Sequence, residues 1–487
     1  MNWLQNIIAI VISFLVARIM IDSNIHRSFV QYLLKKSRSD FSSLITGILL
    51  TSYFFSIFFS NTVVVLSMIP IIKIILETIE DPRQKQKIST IVILALIYGA
   101  NIGGMGSLAG CPLNIVFSSY VEIYKIPGRE NITFFSWLLI GIPATCVLIM
   151  ISRFVLKLGE RGVVMKNRIT SLKTESMPDK KIIKKYILFF IVNMAVLVIL
   201  TASQFLLKPR VILKGFNLID FLMIVYLLGF LFFAFLFPRG TKTFIGYQKN
   251  LLSLILFVIF FIPIGLIELT KDIIVRFRMK EIRVVSKLDQ GLLSLFNSVW
   301  FFLFKEKRES LRSKNPHAFV SLNRLVYDLP IFGLLFMGFV LGVVFLIVNL
   351  GDNPATPKMD GYVLRFFEDF STILVPSGDQ VFLFLLVVVL VSIFFTEMVN
   401  NTTVVLIMFP LVLKITSNLP ISQMFSLLAV TTAASGAFMT PIATPVNAIA
   451  FASFKSVSLK RMLGLGVILN ILCGLWITLL FYFLGTL

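Results

Sequence analysis

Apolar runs of about 20 residues recur along the chain, at 3–21, 136–156, 186–207, 217–237, 330–350 and 463–484. A helix of roughly that length crosses a hydrocarbon layer about 30 Å thick. Between these runs lie apolar stretches interrupted by short polar or Gly/Pro clusters. Residues 41–80 form two apolar arms around Ser60-Asn61-Thr62. Residues 88–125 are broken by Gly99–Ser107 and again at Gly110-Cys111-Pro112-Leu113-Asn114. The arrangement returns at 380–418, around Asn400-Asn401-Thr402, and at 422–454, broken at Ser435-Gly436-Ala437 and Ala443-Thr444-Pro445-Val446-Asn447. Gly and Pro at this density stop a helix. The pattern predicts an all-α polytopic membrane protein with two hairpins and two broken transmembrane helices.

The two hairpins share a sequence. From Asn61 to Pro70, seven of ten positions are identical to Asn401–Pro410, 340 residues later. A polar cluster repeated inside apolar segments points to an internal repeat built around a site at membrane depth.

Composition and charge turn this pattern into a topology. Apolar residues make up 57% of the chain and mean hydropathy is +0.93, well above a soluble protein. The net charge of +21 resides in inter-helix loops, as the positive-inside bias requires, and no nucleic-acid motif accompanies it. Basic groups flank the first hairpin on both sides, so it enters and leaves the cytoplasmic face as a re-entrant hairpin. Residues 22–40 read as a basic interfacial helix. The second hairpin then enters from outside, which makes the halves inverted structural repeats.

The first repeat spans 1–160, with one scaffold span, hairpin 41–80, broken span 88–125 and span 136–156. A basic cytoplasmic linker follows at 161–185. The second repeat spans 186–487, with scaffold spans, a basic insertion at 239–328, an interfacial segment at 361–376, hairpin 380–418, broken span 422–454 and span 463–484. The first apolar run has no basic leader and no small-residue cleavage site, so it reads as a retained span.

The candidate chemistry is uncharged. At each hairpin tip a helix starts near an Asn-Thr pair, and unpaired N–H groups with a positive dipole end suit an anion. Carbonyl and hydroxyl oxygens at the breaks suit a hard monovalent cation such as sodium, and neutral ligands leave no net charge in hydrocarbon when empty. A bound cation would favour a neighbouring anion directly. Asn114 and Asn447 pin the broken spans or touch ligand, with Gly103 and Gly436 as structural positions. Ser56 and Thr396 lie one turn before the tips and either ligate or bond back to their own helices. Glu397 pairs with a basic group, caps a loop or meets substrate. Asp379 reads as a solvated helix-end charge, and Phe54, Phe55, Phe58 and Phe59 as packing or a lipid face. Cys111, Cys146 and Cys473 show no metal or disulfide spacing, and His26 and His317 are isolated. Apart from Glu397 and the Cys111 thiol there is no group on which to build an enzyme, and no organic cofactor is expected.

On these residues the chain resembles the divalent anion:sodium symporter family, within a wider ion-transporter superfamily. Ser60-Asn61-Thr62 and Asn400-Asn401-Thr402 resemble the family's paired Ser-Asn-Thr signatures. Gly110–Asn114 and Ala443–Asn447 resemble its Gly-Thr-Pro-Pro-Asn and Ala-Thr-Pro-Pro-Asn loops, placing Pro112 and Pro445 beside the substrate. The likeness covers 41–160 and 380–487. It implies a homodimer in the cytoplasmic membrane, an elevator mechanism, and sodium-coupled uptake of dicarboxylates, citrate or sulfate. It assigns one sodium site to Ser56, Ser60, Asn61 and Gly110, and the other to Thr396, Asn400, Asn401 and Ala443. Substrate would be held by Asn61, Thr62, Asn401, Thr402 and Thr444, with Cys111 at the position matching Thr444. Asn400 stands for a serine and Cys111 for a threonine. One span precedes the first hairpin where the family has more, and the 239–328 insertion is unusual. A facilitator, or an arsenite or sodium/proton exchanger of the superfamily, is the alternative.

Overall fold

The computed structural model describes residues 2–22, 41–77, 79, 81–161, 180–206, 211–213, 216–236, 381–417, 419–454 and 456–486. The expected interfacial segments 22–40 and 361–376, the insertion 239–328, the span 330–350, Asp379 and both histidines lie outside the described residues, the first apart from its initial residue. So does most of the basic linker.

The first helices are α1 (Asn2–Asp22), α2 (Phe41–Phe58), α3 (Asn61–Glu77), α4 (Pro82–Met105), α5 (Pro112–Ile123), α6 (Phe134–Gly159) and α7 (Lys180–Leu206). A two-stranded antiparallel ribbon follows, β1 (Val211–Leu213) and β2 (Phe216–Asn217), then α8 (Leu218–Leu236). This ribbon departs from an all-helical chain. The last helices are α9 (Val381–Thr396), α10 (Asn401–Thr416), α11 (Gln423–Ala434), α12 (Pro445–Ala452) and α13 (Leu459–Thr486). The ribbon and α8 belong to one compact unit, and the other described helices to a second.

Among the described residues, four helices are long and apolar enough to cross a membrane: α2, α4, α6 and α13. Several such helices in one chain are what a polytopic membrane protein presents. Their surroundings differ. The apolar length of α4 is wholly buried against protein, whereas α6 and α13 bury 33% and 39% of theirs. Met150, Phe154, Leu479 and Phe483 are among the large apolar side chains facing outward. A helix apolar on every side is stable where other helices surround it, and α4 is that central helix.

Close approach makes the centre possible. Gly99 and Gly103 lie one turn apart on α4, and a Cβ at either would strike the α2 backbone, at the Leu49 and Tyr53 carbonyls respectively. Small residues spaced this way let helices pack without a hydrophobic drive between them. Phe55 of α2 and Phe59 just beyond its end are buried, and Phe190 of α7 packs edge-on to Phe58 and Phe59 at 5.2 and 6.0 Å. Phe54 remains largely exposed. The aromatic stripe is thus packing on one edge and outer surface on the other.

The end signals are local. Asp81 caps α4, its carboxylate accepting from Arg83 N at 3.0 Å with Pro82 at the first helical position. Thr133 and Ser136 form a reciprocal capping box at the start of α6. The two halves also interlock. Helix α5 packs against α10 and α11, and α12 against α3 and α4. Phe409 of α10 sits edge-on to Tyr120 and Phe117 of α5, at 4.7 and 6.2 Å.

Candidate functional site

Both polar triplets sit at helix starts. Helix α3 begins at Asn61, with the Ser60 carbonyl accepting from Val63 N and Val64 N at 3.0 and 3.1 Å. Helix α10 begins at Asn401, and the Asn400 side chain accepts from Thr402 N at 2.9 Å. Asn400 therefore spends its amide oxygen as a cap. Asn61, Thr62, Asn401 and Thr402 are all half-buried, in contact with both protein and open space.

The breaks are pinned by asparagines in the same way. Asn114 Nδ2 donates to the Gly104 carbonyl at 2.9 Å and to the Ser107 carbonyl at 2.7 Å. Asn447 Nδ2 donates to the Ala437 carbonyl at 3.0 Å and to the Thr440 carbonyl at 2.9 Å. In each case the acceptors lie ten and seven residues back. A further bond is shared. Ser107 Oγ donates to the Ile57 carbonyl, and Thr440 Oγ1 donates to the Glu397 carbonyl. Both tie a break to the end of its hairpin's first arm.

The first half gathers oxygens around Asn61. Its side-chain amide lies 3.1 Å from the Ala100 carbonyl and 3.2 Å from the Gly110 carbonyl, so that as two hydrogen bonds its nitrogen faces them. Gly104 has no room for a side chain, since a Cβ would stand 2.5–2.6 Å from that amide. A Cβ on Gly110 would press on the Gly104 and Ser56 carbonyls at 2.7 and 2.8 Å. Ser56 is fully buried, and its hydroxyl has no hydrogen-bond partner. An unpaired buried hydroxyl costs about 1–3 kcal/mol.

The second half differs. Thr396 Oγ1 lies 2.7 Å from Asn401 Oδ1 and 2.9 Å from the Ala434 carbonyl. One hydroxyl proton serves one of these acceptors, leaving three oxygens crowded together. The residue after Thr396 is Glu397, fully buried. Its Oε1 accepts from Phe438 N and Met439 N at 2.7 Å each and from Asn470 Nδ2 at 2.9 Å, and its Oε2 accepts from Thr440 N at 2.8 Å. Glu397 therefore caps a loop. Ala443 is buried, and Thr444 Oγ1 caps α12 by accepting from Asn447 N at 3.1 Å. Cys111 stands at the N-cap position of α5 without a side-chain cap bond, and its thiol faces the Ser435 hydroxyl. Pro112 and Pro445 open these two helices and are exposed. Gly436 N donates to the Ala433 carbonyl at 2.9 Å in the turn after α11.

Asn101 joins the halves. It follows Ala100, whose carbonyl meets Asn61, and donates to the Ala437 carbonyl at 2.8 Å and to Asn447 Oδ1 at 3.1 Å. One stretch of α4 thus touches the first hairpin tip and the second break. Asn101, Asn470, Gly104 and the Ser107/Thr440 pair were not singled out above. An asparagine in the middle of an apolar helix is the signal that marks the first two. Among the described residues no three His, Cys, Asp or Glu groups gather as for a metal. The oxygens available to an ion here are carbonyls, hydroxyls and amides.

A family model described as "Citrate transporter" matches residues 4–346, and one described as "Sodium:sulfate symporter transmembrane region" matches residues 362–485. The chain is similar to the sodium-dependent dicarboxylate transporter SdcS of Staphylococcus saprophyticus, 24% identical over 479 residues, covering 97% of this chain and 75% of the relative. The protein of the same name in Staphylococcus aureus is 23% identical over 97% of this chain and 74% of its own length.

Proposed function

The chain belongs to the divalent anion:sodium symporter family of membrane transporters, and from that premise we propose that it couples sodium entry to uptake of a small divalent anion across the cytoplasmic membrane. The observation that carries this reading is the buried, partnerless hydroxyl of Ser56, a residue whose carbonyl adjoins Gly110, together with the Ala100 and Gly110 carbonyls that meet the Asn61 amide. Sodium fits such a set. Turned through 180°, the Asn61 amide would offer its oxygen to an ion together with those carbonyls, and Ser56 Oγ would gain a partner. Ser60 completes the first candidate site. In the second half the Thr396, Asn401 and Ala434 oxygens already crowd together, with Asn400 and Ala443 adjoining.

Asn61, Thr62, Asn401, Thr402, Thr444 and Cys111 then receive the anion, with Pro112 and Pro445 opening the helices that point at it. Two helix starts and neutral donors bind a dicarboxylate, citrate or sulfate without an arginine, because each start supplies N–H groups and a positive dipole end. Asn114, Asn447, Gly103 and Gly436 hold the backbone that carries these groups. The matching hydrogen bonds of the two breaks support an inverted repeat with re-entrant hairpins, residues 1–160 and 186–487. The wholly buried α4 at its centre suits a unit that moves as one body in an elevator within a homodimer.

The test is uptake of labelled succinate, citrate and sulfate into vesicles holding the purified protein. One of them is expected to accumulate when sodium is outside and to fail to do so when choline replaces it. Equal uptake in both salts would make the protein a facilitator and end the coupling claim.

A further inference from the structure

The two halves place opposite chemistries at one position. Glu397 follows Thr396 as Ile57 follows Ser56, and each backbone carbonyl there takes the matching bond from Thr440 or Ser107. Glu397 is a carboxylate with no exposure, held by three backbone N–H groups and one amide. No cationic side chain among the described residues pairs with it. An ionised group at membrane depth costs several kcal/mol and persists where it has a function and a partner. The four N–H dipoles orient it but carry no net charge. The neighbouring Thr396, Asn401 and Ala434 oxygens are where a cation would balance it.

We propose that Glu397 is a positioning residue that makes the coupling cation obligatory in the second half. Resting on the sodium-coupled reading above, the proposal assigns it two effects. Its fixed negative charge draws sodium to the Thr396 cluster. The same charge opposes the arriving anion until that sodium is in place, so the anion follows the cation. It also holds the 438–440 loop by its N–H groups while Asn447 and Asn101 hold the carbonyls, which keeps the Ala434–Ala437 oxygens in register with Thr396. The first half, with Ile57, has no such charge, and its cation is held by oxygens alone.

The test uses the full-length protein in nanodiscs, titrated with sodium chloride against choline chloride at constant ionic strength. The readout is the rise in Tm with and without the anion found by uptake. Glu397→Gln is expected to need at least tenfold more sodium for its half-maximal rise, and to show an anion-induced rise in choline that the natural protein lacks. Glu397→Asp keeps the charge and loses reach, so its Tm falls while its sodium midpoint stays within about threefold. Trp476→Phe, which loses a remote bond to the Ala144 carbonyl, is expected to lower Tm alone. A Glu397→Gln midpoint within twofold of the natural protein, or equal shifts for Gln and Asp, overturns the proposal. Where Glu397→Gln does not fold, a tenfold rise in Glu397→Asp does so. A natural protein that gains nothing from sodium overturns the coupling reading itself, and this inference with it.

Discussion

The break after α4 and the break after α11 are built on one plan and stabilised by different means. Each is pinned by an asparagine reaching the carbonyls ten and seven residues back, and each returns a hydroxyl to the carbonyl that ends its hairpin's first arm. In the second break, Glu397 gathers the loop N–H groups and Thr444 caps the following helix. In the first, Ile57 stands where Glu397 does, Cys111 leaves α5 uncapped, and glycines let the backbones approach directly. The difference teaches that the same backbone atoms are held in both breaks. What differs is whether charge or close packing holds them.

Three substitutions probe that comparison. The largest effect is expected at Gly104→Ala, whose new methyl would displace the Asn61 amide. Sodium-driven uptake should fall to background, whereas Ala437→Gly at the matching position should retain at least half. Equal losses would mean that close approach is not special to the first break. Next come the two pins. Asn447→Ala removes three side-chain hydrogen bonds and Asn114→Ala two, and at about 0.5–1.5 kcal/mol net for each bond the former should lower Tm more than the latter. Thermal unfolding in detergent with the reverse order would show that Glu397 already suffices for the second loop. The smallest effect is at the caps. Thr444→Ala should cost about 1 kcal/mol of stability and Cys111→Ala close to none, while Cys111→Thr should gain up to about 1 kcal/mol. Chemical denaturation of the three variants measures this, and a loss from Cys111→Thr would show that the first half cannot accept the second half's cap.

Much of this could be read from the chain alone. Within the stretches read at 380–418 and 422–454, the helices run Val381–Thr396 and Asn401–Thr416, then Gln423–Ala434 and Pro445–Ala452. Those limits are legible because Pro, Gly and the Asn-Thr pair act on the backbone within a few residues of themselves. The ribbon at 211–217 was not foreseen, since two strands of three and two residues leave almost no alternation to detect. Glu397 could be seen as out of place in an apolar arm, but its role could not be chosen. Its partners are N–H groups 41 to 43 residues away and Asn470, 73 residues away.

By itself, the order of residues determined where helices run, where they stop, and that two distant segments are variants of one motif. These are consequences of hydrophobic length and local backbone preference, which need no partner. Tertiary structure decided which oxygens converge. It buried Ser56 without a hydrogen-bond partner, brought Asn101 to the far break, and gave Glu397 a loop to hold. Those outcomes depend on segments tens to hundreds of residues apart meeting in space, and a polar atom's energy is set by what finally surrounds it.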